Sequence, residues 1–183
     1  MIVNPRTTAD EFLHETRWSL DGPADRGRFA EAFNYMLKNV PITVLNRPDN
    51  SSPWTPGTHM RTKLVSWLQG IQFSSPVNAH EHVSKGTVLK QFRSISDPPG
   101  MRGNWYTLVR SQLKFMALPA DEYRTDFYLA TSDFRCLFSH ISDAYAGWRD
   151  TPHPYRFGGA VQYFIYGNGP AASALIPAKP DGQ

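Results

Sequence analysis

Residues 86–94, GTVLKQFRS, and 104–109, NWYTLV, stand on either side of Asp97-Pro98-Pro99-Gly100. The first is a short β-branched and apolar run entered from a glycine, the second is aromatic and β-branched, and the tetrapeptide between them is a strong turn. Two extended segments in mid-chain predict a sheet. Further along, Ala160-Val161-Gln162-Tyr163-Phe164-Ile165-Tyr166 reads as another strand, entered from Gly158-Gly159 and left through Gly167-Asn168-Gly169. Residues 121–131 are ambiguous, with strand-like aromatics in Phe127 and Tyr128, and Phe134 to Trp148 reads as a helix ending near Gly147.

Upstream the texture is helical. Thr7 to Glu11 is a helix start, followed by Phe12, Leu13, Thr16 and Leu20 near helical spacing. After Pro23, the residues Phe29, Phe33, Met36, Leu37 and Val40 form an amphipathic stripe closed by Pro41. Asn46 to Thr58 is rich in Pro, Asn and Ser and reads as a loop, and a third helix is expected from about His59 to Gly70. Helices followed mostly by strands predict the α+β class. One compact domain is expected, with a helical segment over 1–75 packing on a core over 76–183.

Composition narrows the function classes. In 183 residues, 40% are hydrophobic and 13% aromatic, which excludes a disordered chain, and 13 glycines with 15 prolines argue against a helical bundle. A chain of this length buries roughly 70% of its unfolded surface, enough for a real core. The single cysteine, Cys136, forms no internal disulfide, and no Cys/His zinc spacing is present. The net charge of +3 is scattered without a run of three basic residues, so no nucleic-acid partner is expected. No apolar stretch is long enough for a membrane span, and the first residues lack the pattern of a signal peptide.

Four constellations bear on chemistry. His80-Glu81-His82, with His59 and His140 elsewhere, lacks an identifiable third ligand and reads as a solvated loop, so no metal is expected. Cys136 near His140, or Ser139 near His140 and Asp143, has the residue types of a nucleophilic site. No local signature flanks them, and a free cysteine is usually buried, so Cys136 is assigned to the core. The third is the pair GTVLKQFRS and GMRGNWYTL: arginine offers a planar fork for phosphate and the aromatics a surface for a flat ring. In an alternating strand Gln91 and Arg93 share a face. The fourth is Phe157-Gly158-Gly159-Ala160-Val161-Gln162-Tyr163, where glycines permit close backbone approach and Gln162 is a polar residue in an apolar strand. Taken alone, each of the last two reads more readily as a turn or a hydrogen-bonded core glutamine.

Taken together, GTVLKQFR, GNWYT and GGAVQYF, in that order over about residues 85–168, resemble the NAD-glycohydrolase toxins. These are the tuberculosis necrotizing toxin type and the polymorphic toxin type 46 domains delivered by type VI secretion. The order Phe92-Arg93 departs from the Arg-Phe order usual in the necrotizing-toxin branch, and no histidine matches that branch's central one. The resemblance implies an ADP-ribosyltransferase-like split sheet around a cleft, and hydrolysis of NAD+ or NADP+ to nicotinamide and ADP-ribose without a further cofactor. It implies that Arg93 holds the pyrophosphate with Lys90 or Arg102 as helper. Trp105 and Tyr106 would shape the nicotinamide or ribose pocket, and Gln162 would hydrogen-bond the ribose hydroxyls or orient water near C1′. Gln91 is a second candidate amide; Phe92, Asn104, Gly158, Gly159 and Tyr163 complete the substrate-binding set. It implies secretion from a producing bacterium, action in the target cell's cytoplasm, and a cognate immunity protein occluding the cleft, with a secretion-apparatus or chaperone partner reached through a longer protein. The same cleft in a mono-ADP-ribosyltransferase would modify a protein or nucleic acid; arginine-modifying transferases carry a Glu-x-Glu-like pair, whereas here Gln162 is followed at i+2 by Phe164. A non-enzymatic interaction module is the third class, separated from both by whether NAD+ is consumed.

Overall fold

A computed structural model describes residues 1–49, 62–111, 122–142, 144–145, 155–156 and 158–179. Most of the 46–58 loop, the expected helix start at His59, Asp143, Gly147, Trp148 and Phe157 lie outside the described residues.

The helices come first. α1 (Ala9–Thr16) starts with a reciprocal cap: the Thr8 hydroxyl accepts from the Glu11 N–H, and the Glu11 carboxylate accepts from the Thr8 N–H. α2 (Pro23–Asn39) opens on proline, where the missing N–H costs no helical bond. Its stripe buries Phe29, Phe33 and Met36, with Val40 just beyond; Leu37 is only partly covered. α3 (Ile42–Leu45) is a single turn, and α4 (Lys63–Gln69) is capped by the Thr62 hydroxyl. Phe12, Trp18, Phe29, Phe33 and Phe73 form an aromatic cluster at the centre of this layer, with Phe29 and Phe33 stacked and the other ring pairs tilted or edge-on.

The strands follow as β1 (Asn78–Val83), β2 (Val88–Ser94), β3 (Trp105–Leu108), β4 (Tyr123–Ala130), β5 (Phe134–His140), β6 (Ala144–Tyr145), β7 (Tyr155–Arg156), β8 (Val161–Phe164) and β9 (Leu175–Ala178), with the short helix α5 (Pro170–Ser173) before the last. Seven make one antiparallel sheet in the order β1-β5-β8-β3-β2-β4-β9, and β6 and β7 pair separately. The class is α+β, and the sheet is not closed into a barrel. On one face, here the helix face, Leu137 and Phe164 join the helical core. On the far face Leu89, Tyr106, Tyr128, Cys136 and Ile165 pack with Ala172 of α5. A register shift in β1 between Asn78 and Glu81 lets Ala79 join the first cluster and Val83 the second.

Two sequence readings are corrected and an ambiguous one is resolved. Phe134–His140 is a strand, not the start of a helix. Its alternate residues pack into both cores, so both faces are apolar and the period of two is hidden. His80-Glu81-His82 lies in edge strand β1 rather than a loop, and among the described residues no group of three or more His, Cys, Asp or Glu is placed to hold a metal. The ambiguous stretch around Phe127 is strand β4.

β3 links the halves. Its residues Trp105 and Tyr106 pair with Phe164 and Tyr163 of β8, whereas Thr107 and Leu108 pair with Lys90 and Leu89 of β2. Beside it Gly158 runs so close to the end of β5 that an added Cβ would lie 2.3 Å from the Ile141 carbonyl oxygen and 2.5 Å from that of Ser142. Gly158→Ala is therefore expected to lower the melting temperature by about 5 °C or more, since backbone cannot yield as a side-chain tip does. By contrast Gly27→Ala, in the exposed interior of α2 with open space around it, should raise stability by about 0.5–1 kcal/mol. Thermal melts of both variants, followed by circular dichroism, check the pair.

Candidate functional site

Strand pairing sorts the candidate residues by face. Lys90 lies opposite Thr107, and Ser139 opposite Gln162. One step on from the Tyr106–Tyr163 pair, Thr107 comes opposite Gln162. Ser139, Gln162, Thr107 and Lys90 thus form a polar row on the helix face across β5, β8, β3 and β2. All four are buried, with exposures of 0%, 4%, 0% and 9%.

The polar ends of the row differ in how far they are satisfied. The Gln162 amide nitrogen donates to the Gly70 carbonyl at the end of α4 (2.9 Å) and, at 3.4 Å, to that of His140. Its Oε1 accepts no hydrogen bond among the described residues. The Ser139 hydroxyl is fully buried and has no partner among them. The Thr107 hydroxyl lies 2.6 Å from the Val161 carbonyl and 2.7 Å from the Ser111 hydroxyl. Lys90 Nζ donates to the Ser111 carbonyl and sits 5.1 Å from the centre of the half-buried Phe92 ring. Burial pushes the Lys90 pKa below the ordinary lysine value. Where β3 ends and β8 begins, a cavity of about 610 Å3 opens against Arg110, Ser111, Gly159 and Val161. Gly159 has φ +92° with open space around it.

Gln91 and Arg93 do share a face, as alternation requires, but it is the far face. Gln162 therefore does not converge with them, which corrects the expectation of one joint site. The physical reason is parity: Lys90 opposite Thr107, and Tyr106 opposite Tyr163, set Gln91 and Gln162 on opposite sides. Gln91 is buried with both amide ends engaged, its Oε1 accepting from the Gly103 N–H and its Nε2 donating to the Trp105 carbonyl, each at 2.9 Å. Arg93 is ion-paired to Asp97 at 2.6 Å. Arg124 donates to the Asp97 and Pro98 carbonyls, so the same turn is pinned from both strands. Arg102 donates to the Ala172 carbonyl and lies 5.4 Å from the Tyr128 ring centre. Tyr106 is buried edge-on to Tyr128, and burial, with Tyr128 adding to it, pushes its hydroxyl up to about 12.

The remaining candidates divide as well. Trp105 stands edge-on to Phe164 at 4.9 Å on the helix face, and Tyr163 packs on Phe138 on the far face. The Asn104 side chain accepts from the Gly167 N–H. Gly158 is close to the Ile141 and Ser142 backbone, so its missing Cβ serves the chain's own packing. Cys136 is buried, and burial pushes its thiol up to about 12, in line with its assignment to the core. The sequence marks Ser139 only as a nucleophile candidate near His140 and Asp143; its place next to Gln162 follows from strand register. Thr107 and Ser111 carried no local signal.

No family model matches this chain, and no curated protein matches it. Among solved structures, a chain from the structure of Tse6 in complex with Tsi6 matches with a TM-score of 0.58 at 20% identity, over 87% of this chain and 100% of that one. A chain from the structure of Rhs1-CT in complex with its cognate immunity protein RhsI1 has a TM-score of 0.35 at 16% identity, over 58% of this chain and 79% of that one. The first likeness is one of fold.

The Lys90 environment has a measurable consequence. Because its native pKa is lowered, the unfolded chain binds that proton more tightly, and the Lys90 contribution to stability rises with pH between the lowered value and about 10.4. Lys90→Met removes this dependence. The stability of the variant relative to wild type should therefore fall as pH is raised from neutral toward 10, measured by urea unfolding at each pH.

Proposed function

We propose that this chain is an NAD(P)+-hydrolysing toxin domain with an ADP-ribosyltransferase-like cleft, made by a bacterium that also makes a protein to occlude it. Three observations support the reading: the ordered motifs around Gln91, Trp105 and Gln162, the fold likeness to a chain solved in the Tse6–Tsi6 complex, and the helix-face row. The observation that carries it is the Gln162 amide, held through its nitrogen to the Gly70 carbonyl while its oxygen accepts from none of the described residues.

The chemistry asks for little charge. Nicotinamide departs from an already cationic ring and takes the C1′–N electron pair as a neutral molecule, so no general acid is needed. The demanding species is an oxocarbenium-like ribose, as in other glycoside cleavages. Gln162 Oε1 would accept a ribose hydroxyl or orient the attacking water. Two strand spacings away, about 10 Å, Lys90 would hold the pyrophosphate, replacing lost hydration by a charge-assisted contact. Lys90 takes the role first assigned to Arg93, which lies on the far face with its Nη2 paired to Asp97. Phe92 lies against the Lys90 stem, and Arg110 stands at the cavity rim.

Purified protein is expected to release nicotinamide from NAD+, read by chromatography, in the presence of a chelator and without an acceptor protein. Gln162→Ala should lose about 10²–10³ in turnover, by analogy with a removed oxyanion-hole donor. Its melting temperature is followed in parallel, because the bond to Gly70 is lost too. Lys90→Met should raise KM by roughly 10–100-fold, the worth of a charged hydrogen bond. Release that depends on an added acceptor would make the domain a transferase, and no release at all would end the reading.

A further inference from the structure

A buried hydroxyl without a partner costs free energy and calls for a physical account. Ser139 Oγ is such a group, and directly across the strand pair stands Gln162, whose Oε1 accepts nothing among the described residues. Directly paired residues in antiparallel strands have Cβ atoms about 4.5–5.5 Å apart. Neighbours so spaced can share a single water between a serine hydroxyl and a glutamine carbonyl oxygen. A buried water needs two or more polar partners, and this pair offers a donor–acceptor hydroxyl beside a carbonyl oxygen fixed in direction by its own amide nitrogen.

We infer that Ser139 and Gln162 together hold one water molecule, and that this water is the nucleophile of the hydrolysis. The inference rests on the reading of the domain as an NAD(P)+ hydrolase. In the step, the water oxygen donates a lone pair to ribose C1′ as the C1′–N bond breaks and its electron pair leaves with nicotinamide. The oxygen, then cationic, loses a proton to solvent, and ADP-ribose results. Gln162 orients the water by accepting from it. Ser139, reaching the reaction only through the water, is a positioning residue.

Ser139→Ala decides the matter with little risk to the fold, because the hydroxyl bonds no protein atom among the described residues, and the loss of one bond to a water should cost only about 1 kcal/mol. The expected result is a fall in kcat of roughly tenfold, one hydrogen bond's worth, with KM unchanged. Ser139→Thr, which keeps the hydroxyl, should retain more of the turnover. With methanol added, the ratio of methyl ADP-riboside to ADP-ribose should be higher for Ser139→Ala than for wild type, a shift that a merely structural role would not produce. A high-resolution crystal structure of the full chain should show a water within hydrogen-bond distance of both Ser139 Oγ and Gln162 Oε1. Unchanged kcat with an unchanged methanol ratio, or no water between the two atoms, overturns the inference. If wild type releases no nicotinamide, the hydrolase reading and the nucleophile role fall together, and the crystal structure alone decides whether the pair holds a water.

Discussion

β3 is a four-residue strand with two different partners, and the arrangement of the sheet follows from it. Trp105 and Tyr106 pair with β8, Thr107 and Leu108 with β2. Side chains alternate with a period of two, so the register of this strand decides which residues of both halves share a face. A slip by one residue would carry Lys90 into the tyrosine-rich far core and turn Gln91 toward the helices. Two side-chain amides hold the register where ladder bonds are lacking: Gln91 brackets Gly103 and Trp105, and Asn104 reaches Gly167. They act like ladder bonds at the point where the strands diverge.

The architecture was legible where periodicity was plain. The α2 stripe, the Gly-led β2 and the turn at Asp97-Pro98-Pro99-Gly100 all carry local signals, and the structure has elements at each. β5 was misread because Leu137 and Cys136 pack into opposite cores, which removes alternation as a clue. β1 reads as a loop because it is an edge strand with a bulge and four exposed or half-exposed polar residues. The site was half legible. Gln162 stands out as a polar residue in an apolar strand, whereas Lys90 enters only as a helper that the family resemblance implies. What local sequence cannot supply is the relative register of strands roughly 20 to 70 residues apart, which separates Gln162 from Gln91 and brings Ser139 beside it.

Arginine use on the far face illustrates the same limit. Arg93 and Arg124 on neighbouring strands both bind the turn at Asp97, and Arg102 spans from its loop to α5. A sequence reader sees an arginine after a strand as a phosphate fork; the nearby aspartate and free carbonyls make it a clamp instead. A clamp of this kind fixes the path of the loop that delivers Trp105 and Tyr106 to β3, so these arginines still bear on the helix face, through the backbone.

The polar row itself is hard to explain by stability. Burying Lys90, Thr107, Gln162 and Ser139 on adjacent strands removes four polar groups from water, and apolar residues of similar size would pack the same face at lower cost. Thr107 and the Gln162 nitrogen recover that cost through backbone carbonyls. Lys90 recovers part of it, since its pKa is still depressed. The Ser139 hydroxyl and the Gln162 oxygen recover none from the described protein atoms. The unrecovered groups sit side by side at one end of the row and the partly recovered cation sits at the other. On the function proposed above, with a reactive sugar at one end of the ligand and a charged pyrophosphate at the other, that is the distribution of unmet polarity a binding face would have. A row that served only to tie strands together would instead have its polar ends closed along its whole length.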